Sequence, residues 1–473
     1  MRISKYSIYE VLLFHIYLLV FYFTFPQKDE WMPTIVLLLL IAILMILEYL
    51  RNHILVSPLL VWYFFWLGAI SFGRMDLNLY PFYQTWSRKL LLVILLNTAL
   101  FFWMFWVGEG LTGKTFAAKA IQTKYSAKLR GERLALLTVG MLAASSAAFM
   151  LNVFMAGYIP LFTDDVNLFR QRFVLLPFYR LVNILRFTFA IVPLAIRETK
   201  QRAMKTVLAF FTVVFMFCEM LSGWRSYTMQ AIVLLLSSIL IIRGSPEQTY
   251  VSEYCQKMYL LRKEKAQRKT LPIVISFSLF ALAFIGYIAV NRDGVIGAFR
   301  EKLEYLFYTI DMYIAPNFLN FQSGMENIEP LGYPLYTTEA FWGLVTSWEQ
   351  LPPYPPIDQS IGAFNVSTYL LQPFVDLGIP GTAIWSTIAG IAAGAVFKRC
   401  RTDQSTVSLV LIGIINFAIL VMHNNFFFRA SSTVIWIAGA FCLDTVIRTS
   451  ENQSKGSIQF ERRGSIKKKE YSL

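Results

Sequence analysis

The amino-acid sequence predicts an all-α polytopic membrane protein of about twelve transmembrane helices, on three observations. It is 56% hydrophobic over 473 residues, with a mean hydropathy of +0.52. Its apolar stretches run for roughly 20 residues, long enough to cross ~30 Å of hydrocarbon as helices. Finally, its 43 Lys and Arg residues are strongly clustered. Thirty fall in seven segments that alternate with regions poor in Lys.

The spans read as 8–25, 32–49, 57–73, 89–107, 134–156, 177–196, 203–221, 226–242, 271–290, 377–397, 405–422 and 428–447. Positive charge marks cytoplasmic connections. The segments expected inside hold Arg2 and Lys5, Arg51, Lys114 to Arg133, Arg197 to Lys205, Arg243 to Lys269, Lys398 to Arg401, and Arg448 to Lys469. Both termini are thus expected in the cytoplasm. Removing one span would put a seven-charge loop on the wrong side. The first apolar segment lacks a small-residue cleavage site after it and reads as a retained span. A net charge of +14 spread around such a body points to topology and anionic lipid, not nucleic acid. Cys218, Cys255, Cys400 and Cys442 have neither CxxC spacing nor a disulfide pattern.

Four regions follow. Residues 1–290 hold spans one to nine with basic cytoplasmic loops, and 291–376 form a long external loop between spans nine and ten. Residues 377–447 hold spans ten to twelve, and 448–473 form a basic cytoplasmic tail. The long loop has three basic and ten acidic residues and is rich in Tyr, Phe, Trp, Pro and Asn, unlike a disordered linker. Apolar and aromatic spacing across 297–315 predicts an amphipathic helix, and Leu351 to Pro356 an extended stretch. A structured loop of this length is usually functional.

Four constellations carry chemistry. Gly157 to Phe173 ends span five and then places Arg170 and Arg172 where an external loop should lack positive charge. Arg186 is the one charge in the largely apolar stretch from Leu181 to Leu194, and a charge within the bilayer needs a polar cavity or a partner. Ser222-Gly-Trp-Arg-Ser226 makes a tight external turn that carries Arg225. Asn365 to Thr382 re-enters the membrane with Asp376, Gly378 and Gly381, where Asp376 positions an Arg or a sugar hydroxyl, or caps span ten. His423 and Arg429 share the last outer turn. Of the thirteen basic residues outside the inner segments, ten are Arg. Guanidinium forks match carboxylates and phosphates bidentately, so this bias points to an anionic ligand. No Walker loop, HExxH or clustered DxD occurs, so neither a cofactor nor a metal is expected.

With these residues in view the chain resembles the bacterial oligosaccharide repeat-unit polymerases, the Wzy-like class that assembles O-antigen, capsule or exopolysaccharide. The resemblance rests on Asn365 to Thr368, Pro373, Asp376, Leu377, Gly378 and Gly381, on Gly223 to Ser226, and on Pro160 to Phe162 followed by Arg170 and Arg172. It implies a GT-C-like fold in the inner membrane and metal-independent glycosyl transfer from undecaprenyl-pyrophosphate-linked oligosaccharide, with a chain-length regulator as a possible further partner. It further implies that Arg225, Arg186 and Arg170 or Arg172 hold the pyrophosphate, with Arg292 and Arg429 as second choices. His423 or Asp376 would orient or deprotonate the acceptor hydroxyl. Tyr333, Trp342 and Asn365 would face the glycan, although loop aromatics equally anchor at lipid headgroups. An O-antigen ligase would also use outer arginines and an external His. A lipid-linked oligosaccharide flippase would instead show a two-half repeat, which the sequence lacks.

Overall fold

The computed structural model describes residues 5–25, 31–73, 86–111, 127–244, 304–345 and 367–447, and every element among them is helical. In order these are α1 (Lys5–Thr24), α2 (Trp31–Asn52), α3 (Pro58–Gly73), α4 (Arg88–Leu111) and α5 (Ala127–Ala156). Then come α6 (Val166–Leu175), α7 (Pro177–Leu185), α8 (Thr188–Glu198), α9 (Arg202–Leu221) and α10 (Arg225–Gly244). The last five are α11 (Glu304–Asn327), α12 (Glu339–Val345), α13 (Leu371–Thr402), α14 (Thr406–Val421) and α15 (Ser431–Ile447).

The expectation of about twelve spans is corrected. Among the described residues seven helices are long and apolar enough to cross a membrane, and eight if α7 and α8, bent by 49° at their junction, form one broken span. Hydropathy registers an apolar run whether or not the helix through it is long enough. Helix α3 begins on the Ser57 cap, takes a π-helical turn through Tyr63–Leu67 and ends at Gly73. Helices α14 and α15 are also shorter than the spanning ones. At ~1.5 Å per residue such lengths fall below the ~30 Å hydrocarbon thickness. The expected span at 271–290 lies outside the described residues.

The chain divides into two compact units. The first comprises Met1–Thr115, Ile239–Asp403 and Leu411–Val434, and its centre is the α4–α13 pair. In lipid, helices gain little from hydrophobic burial and associate through close packing and polar contacts. Both occur here. A Cβ at Gly394 would come within 2.0 Å of the Phe105 carbonyl oxygen, and one at Gly390 within 2.6 Å of that of Phe101. Alongside, Asn97 Nδ2 donates to Thr382 Oγ1 at 3.1 Å, and Ser386 Oγ donates to Asn97 Oδ1 at 2.7 Å.

An ionic knot closes one end of this unit. The Arg51 guanidinium meets Glu48 at 2.5 Å, Glu109 at 2.8 Å and Glu10 at 3.3 Å, and lies 3.9 Å over the Trp106 ring. Glu48 also accepts from Asn52 Nδ2 and Ser57 Oγ, while Glu10 accepts from the Tyr63 hydroxyl. Arg401 joins through Asn52, donating to its Oδ1 at 2.6 Å.

The second unit comprises Phe116–Ser238, Gln404–Val410 and Ile435–Leu473. Helix α5 is its axis, packing against α7, α8 and α9. Gly131 lets the chain pass close, since a Cβ there would lie 2.5 Å from the Glu198 carbonyl oxygen.

Candidate functional site

The second unit brings together three of the six arginines singled out in the sequence. Helix α9 ends in the turn Ser222-Gly223-Trp224, and α10 starts at Arg225. Gly223 makes the turn possible with φ of +73°, a conformation most side chains disfavour. It also allows close contact, because a Cβ at that position would lie 3.0 Å from Val166 Cγ1 and 3.9 Å from Arg170 Cβ. The Ser222 hydroxyl donates to the Glu219 carbonyl oxygen at 2.7 Å and accepts from Trp224 N at 3.3 Å. The Thr228 hydroxyl reaches the same Glu219 carbonyl at 3.3 Å.

Helix α6 supplies Arg170. Asp165 caps this helix by accepting from Leu168 N at 3.0 Å, so its carboxylate serves the backbone. Tyr158 Oη donates to the Phe169 carbonyl, and Asn152 Nδ2 to that of Phe173, tying α6 down to α5. The Arg170 guanidinium lies 4.3 Å above the Trp224 ring, and Trp224 Nε1 donates to the Arg170 carbonyl at 3.4 Å. Arg170 and Arg225 are therefore both attached to the one turn. Arg172, two residues further along α6, is exposed.

Arg186 sits at the junction of α7 and α8 and is fully buried. Its Nε donates to Glu219 Oε1 at 2.7 Å and its NH2 to Glu219 Oε2 at 3.1 Å, a bidentate pair. Its NH1 donates to Asn183 Oδ1 at 2.7 Å and to Gln230 Oε1 at 2.8 Å. The guanidinium plane lies 4.1 Å over Tyr227. Trp436 Nε1 fastens the end of α7 by donating to the Asn183 carbonyl at 2.8 Å. The expectation that Arg186 grips a phosphate thus meets a fork already filled by Glu219. Sequence reasoning missed this partner, although Glu219 is the only acidic residue in α9.

The other candidates belong to the first unit or lie outside the described residues. Asp376 is fully buried and clamps the stretch before α12. It accepts from Tyr336 N at 2.9 Å, Thr337 N at 2.8 Å and the Thr337 hydroxyl at 2.6 Å. Of its anticipated roles, neither an Arg nor a helix end holds the carboxylate; a loop does. Gly378 breaks α13 with φ of 67°. Gly381 lies where two backbones meet, since a Cβ there would be 2.1 Å from the Pro373 carbonyl oxygen. Tyr333 and Trp342 are exposed, open to a ligand face or a headgroup. His423 follows α14 in a turn, and burial pushes its imidazole down to about 4, with a hydrogen bond to the Leu420 backbone opposing. The ring is therefore neutral at pH 7, able to accept a proton but with weak affinity for it. Arg429 ends the short 3₁₀ turn Phe427–Arg429. Arg292 and Asn365 lie outside the described residues.

Among the described residues no group of three His, Cys, Asp or Glu side chains is arranged to hold a metal. No protein-family profile, curated protein or solved structure matches the chain. The GT-C-like architecture expected from the resemblance has no counterpart in this helical arrangement and is set aside with the twelve-span count.

Proposed function

We propose that this protein polymerises undecaprenyl-pyrophosphate-linked oligosaccharide repeat units into a surface polysaccharide, by glycosyl transfer at the outer face of the cytoplasmic membrane. One observation carries the reading: Arg170 stacks on Trp224 of the turn whose next residue is Arg225, with Arg172 exposed on the same short helix. Two guanidinium groups at one turn suit a pyrophosphate, whose oxygens accept paired N–H donors. The turn opens α10, and the first turn of a helix adds N–H groups with no acceptor inside the helix.

In the proposed reaction a hydroxyl of the acceptor repeat unit attacks the anomeric carbon of the donor glycan. The bond from that carbon to the pyrophosphate oxygen breaks, and the lipid pyrophosphate leaves with the electron pair. Arg170 and Arg225 offset the charge that grows on the leaving oxygen. The hydroxyl proton passes to a general base. Asp376, with its carboxylate taken up by Tyr336 and Thr337, fits the shaping of the loop better than proton transfer.

Purified protein given lipid-pyrophosphate repeat units should make longer glycans without nucleotide sugar or ATP. Arg225→Ala should lower that rate about a hundredfold, the usual loss for one donor to a developing anion. Arg225→Lys should recover only part. A full chain-length distribution from Arg225→Ala would refute the assignment. Transfer to lipid A core without extension would replace it with a ligase.

A further inference from the structure

We infer that Arg186 and Glu219 act as a positioning pair that sets the Ser222–Arg225 turn, so that Arg225 and Arg170 face the pyrophosphate while Arg186 does not touch it. The inference rests on the pyrophosphate reading above and assigns Glu219 a role in it.

Glu219 holds the turn from both ends of the residue. Its carbonyl accepts from the Ser222 and Thr228 hydroxyls, one on each side of the turn. Its carboxylate takes Nε and NH2 of Arg186. Arg186 in turn reaches Asn183 of α7 and Gln230 of α10 and covers Tyr227. Four of its five N–H groups are thereby used, and the side chain has no exposed surface. One residue thus joins the α7–α8 break, the end of α9 and the start of α10, with Arg225 two residues before Tyr227. A phosphate ligand must turn its fork toward its anion, which Arg186 cannot do without abandoning a buried carboxylate. Planar bidentate pairing sets direction as well as distance, which is what a positioning element requires.

A displaced ligand of about 1 Å can cost a hundredfold in rate even when the change lies away from the reacting atoms. The test uses full-length protein in the extension assay, with thermal unfolding and size-exclusion profiles measured in parallel. The neutral pair Arg186→Met with Glu219→Met removes both charges together, which buried sites commonly tolerate. We expect a folded, monodisperse protein whose kcat/KM falls about a hundredfold. Adding Arg225→Ala to it should cause little further loss, since the pair acts through Arg225. Glu219→Asp keeps the charge and withdraws it by one methylene. It should fold and lose rate in the same direction, which keeps the test decisive if the double variant does not fold. Full extension activity in either folded variant, or a loss that multiplies with that of Arg225→Ala, would overturn the positioning role while Arg225→Ala alone keeps its loss of about a hundredfold. Full activity in Arg225→Ala alone would instead refute the pyrophosphate reading, and this inference with it.

Discussion

Arg51 and Arg186 are both buried arginines stacked on an aromatic ring, one on Trp106 and one on Tyr227, yet their surroundings differ in charge. Arg51 faces three glutamates, Glu10, Glu48 and Glu109, while Arg401 hydrogen-bonds Asn52 and attracts Glu109 and Glu48 from further away. Arg186 faces Glu219 alone, and its other donors go to the neutral amides of Asn183 and Gln230. The first is an excess-acid knot that binds several helices of one unit. The second is a balanced pair with amides filling the rest of its fork, attached to a turn that carries another arginine. Buried charges with equal numbers of contacts can therefore differ in what they tolerate.

The largest expected difference lies in removing the cation. Arg51→Met would leave three carboxylates without their shared donor, and breaking a buried pair from one side typically costs about 3–5 kcal/mol. Arg51→Met should sit at or above the top of that range, with Arg186→Met below it because only one carboxylate is stranded. Thermal unfolding of the two variants in one detergent measures the order. Equal losses would mean that the additional glutamates at Arg51 carry little charge in the folded protein.

Removing an acid should reverse the ranking. Glu219→Gln deprives Arg186 of its whole counter-charge and should cost about 3 kcal/mol. Glu10→Gln keeps an oxygen for the Tyr63 hydroxyl and relieves repulsion against two remaining carboxylates. It should fall within about 1 kcal/mol of the parent protein, as expected where a charged group is replaced by a neutral one that still forms its hydrogen bond. A Glu10→Gln variant as unstable as Glu219→Gln would erase the contrast between the two sites.

How far the sequence carries this far depends on which interactions are local. The helical class and the turn at Gly223 follow from apolar runs and from a small residue between two spans, and both appear in the structure. Arg186 stood out because it interrupts an apolar stretch. Glu219 interrupts another by the same criterion, but counting basic residues for topology leaves acidic ones unweighed. Pairing lone opposite charges across spans would have found it, and would also have flagged Glu10, Glu48 and Glu109. The span count failed for a different reason. Hydropathy does not see the π-turn in α3 or the bend at Arg186, because both depend on where backbone hydrogen bonds shift. Asp376 was legible as a special position, whereas its partners lie some 40 residues upstream and only the fold brings Tyr336 and Thr337 to it.

His423, half-buried in its turn, extends the comparison to a third fate for a basic group. Arg51 and Arg186 keep their charge beside carboxylates. His423 interacts with no carboxylate among the described residues, and burial lowers its pKa to about 4. The unfolded chain holds a His proton up to about pH 6.5. Between about 6.5 and 4 the unfolded state therefore binds more protons than the folded one, and stability rises with pH across that window. On this group's account the fold should lose stability as the solution is acidified from 6.5 to about 4, and lose no more below it. His423→Asn removes the titration, so its melting temperature should fall less steeply than that of the parent over the same interval. Parallel curves would show that the imidazole exchanges protons with water freely and is not shielded by the turn.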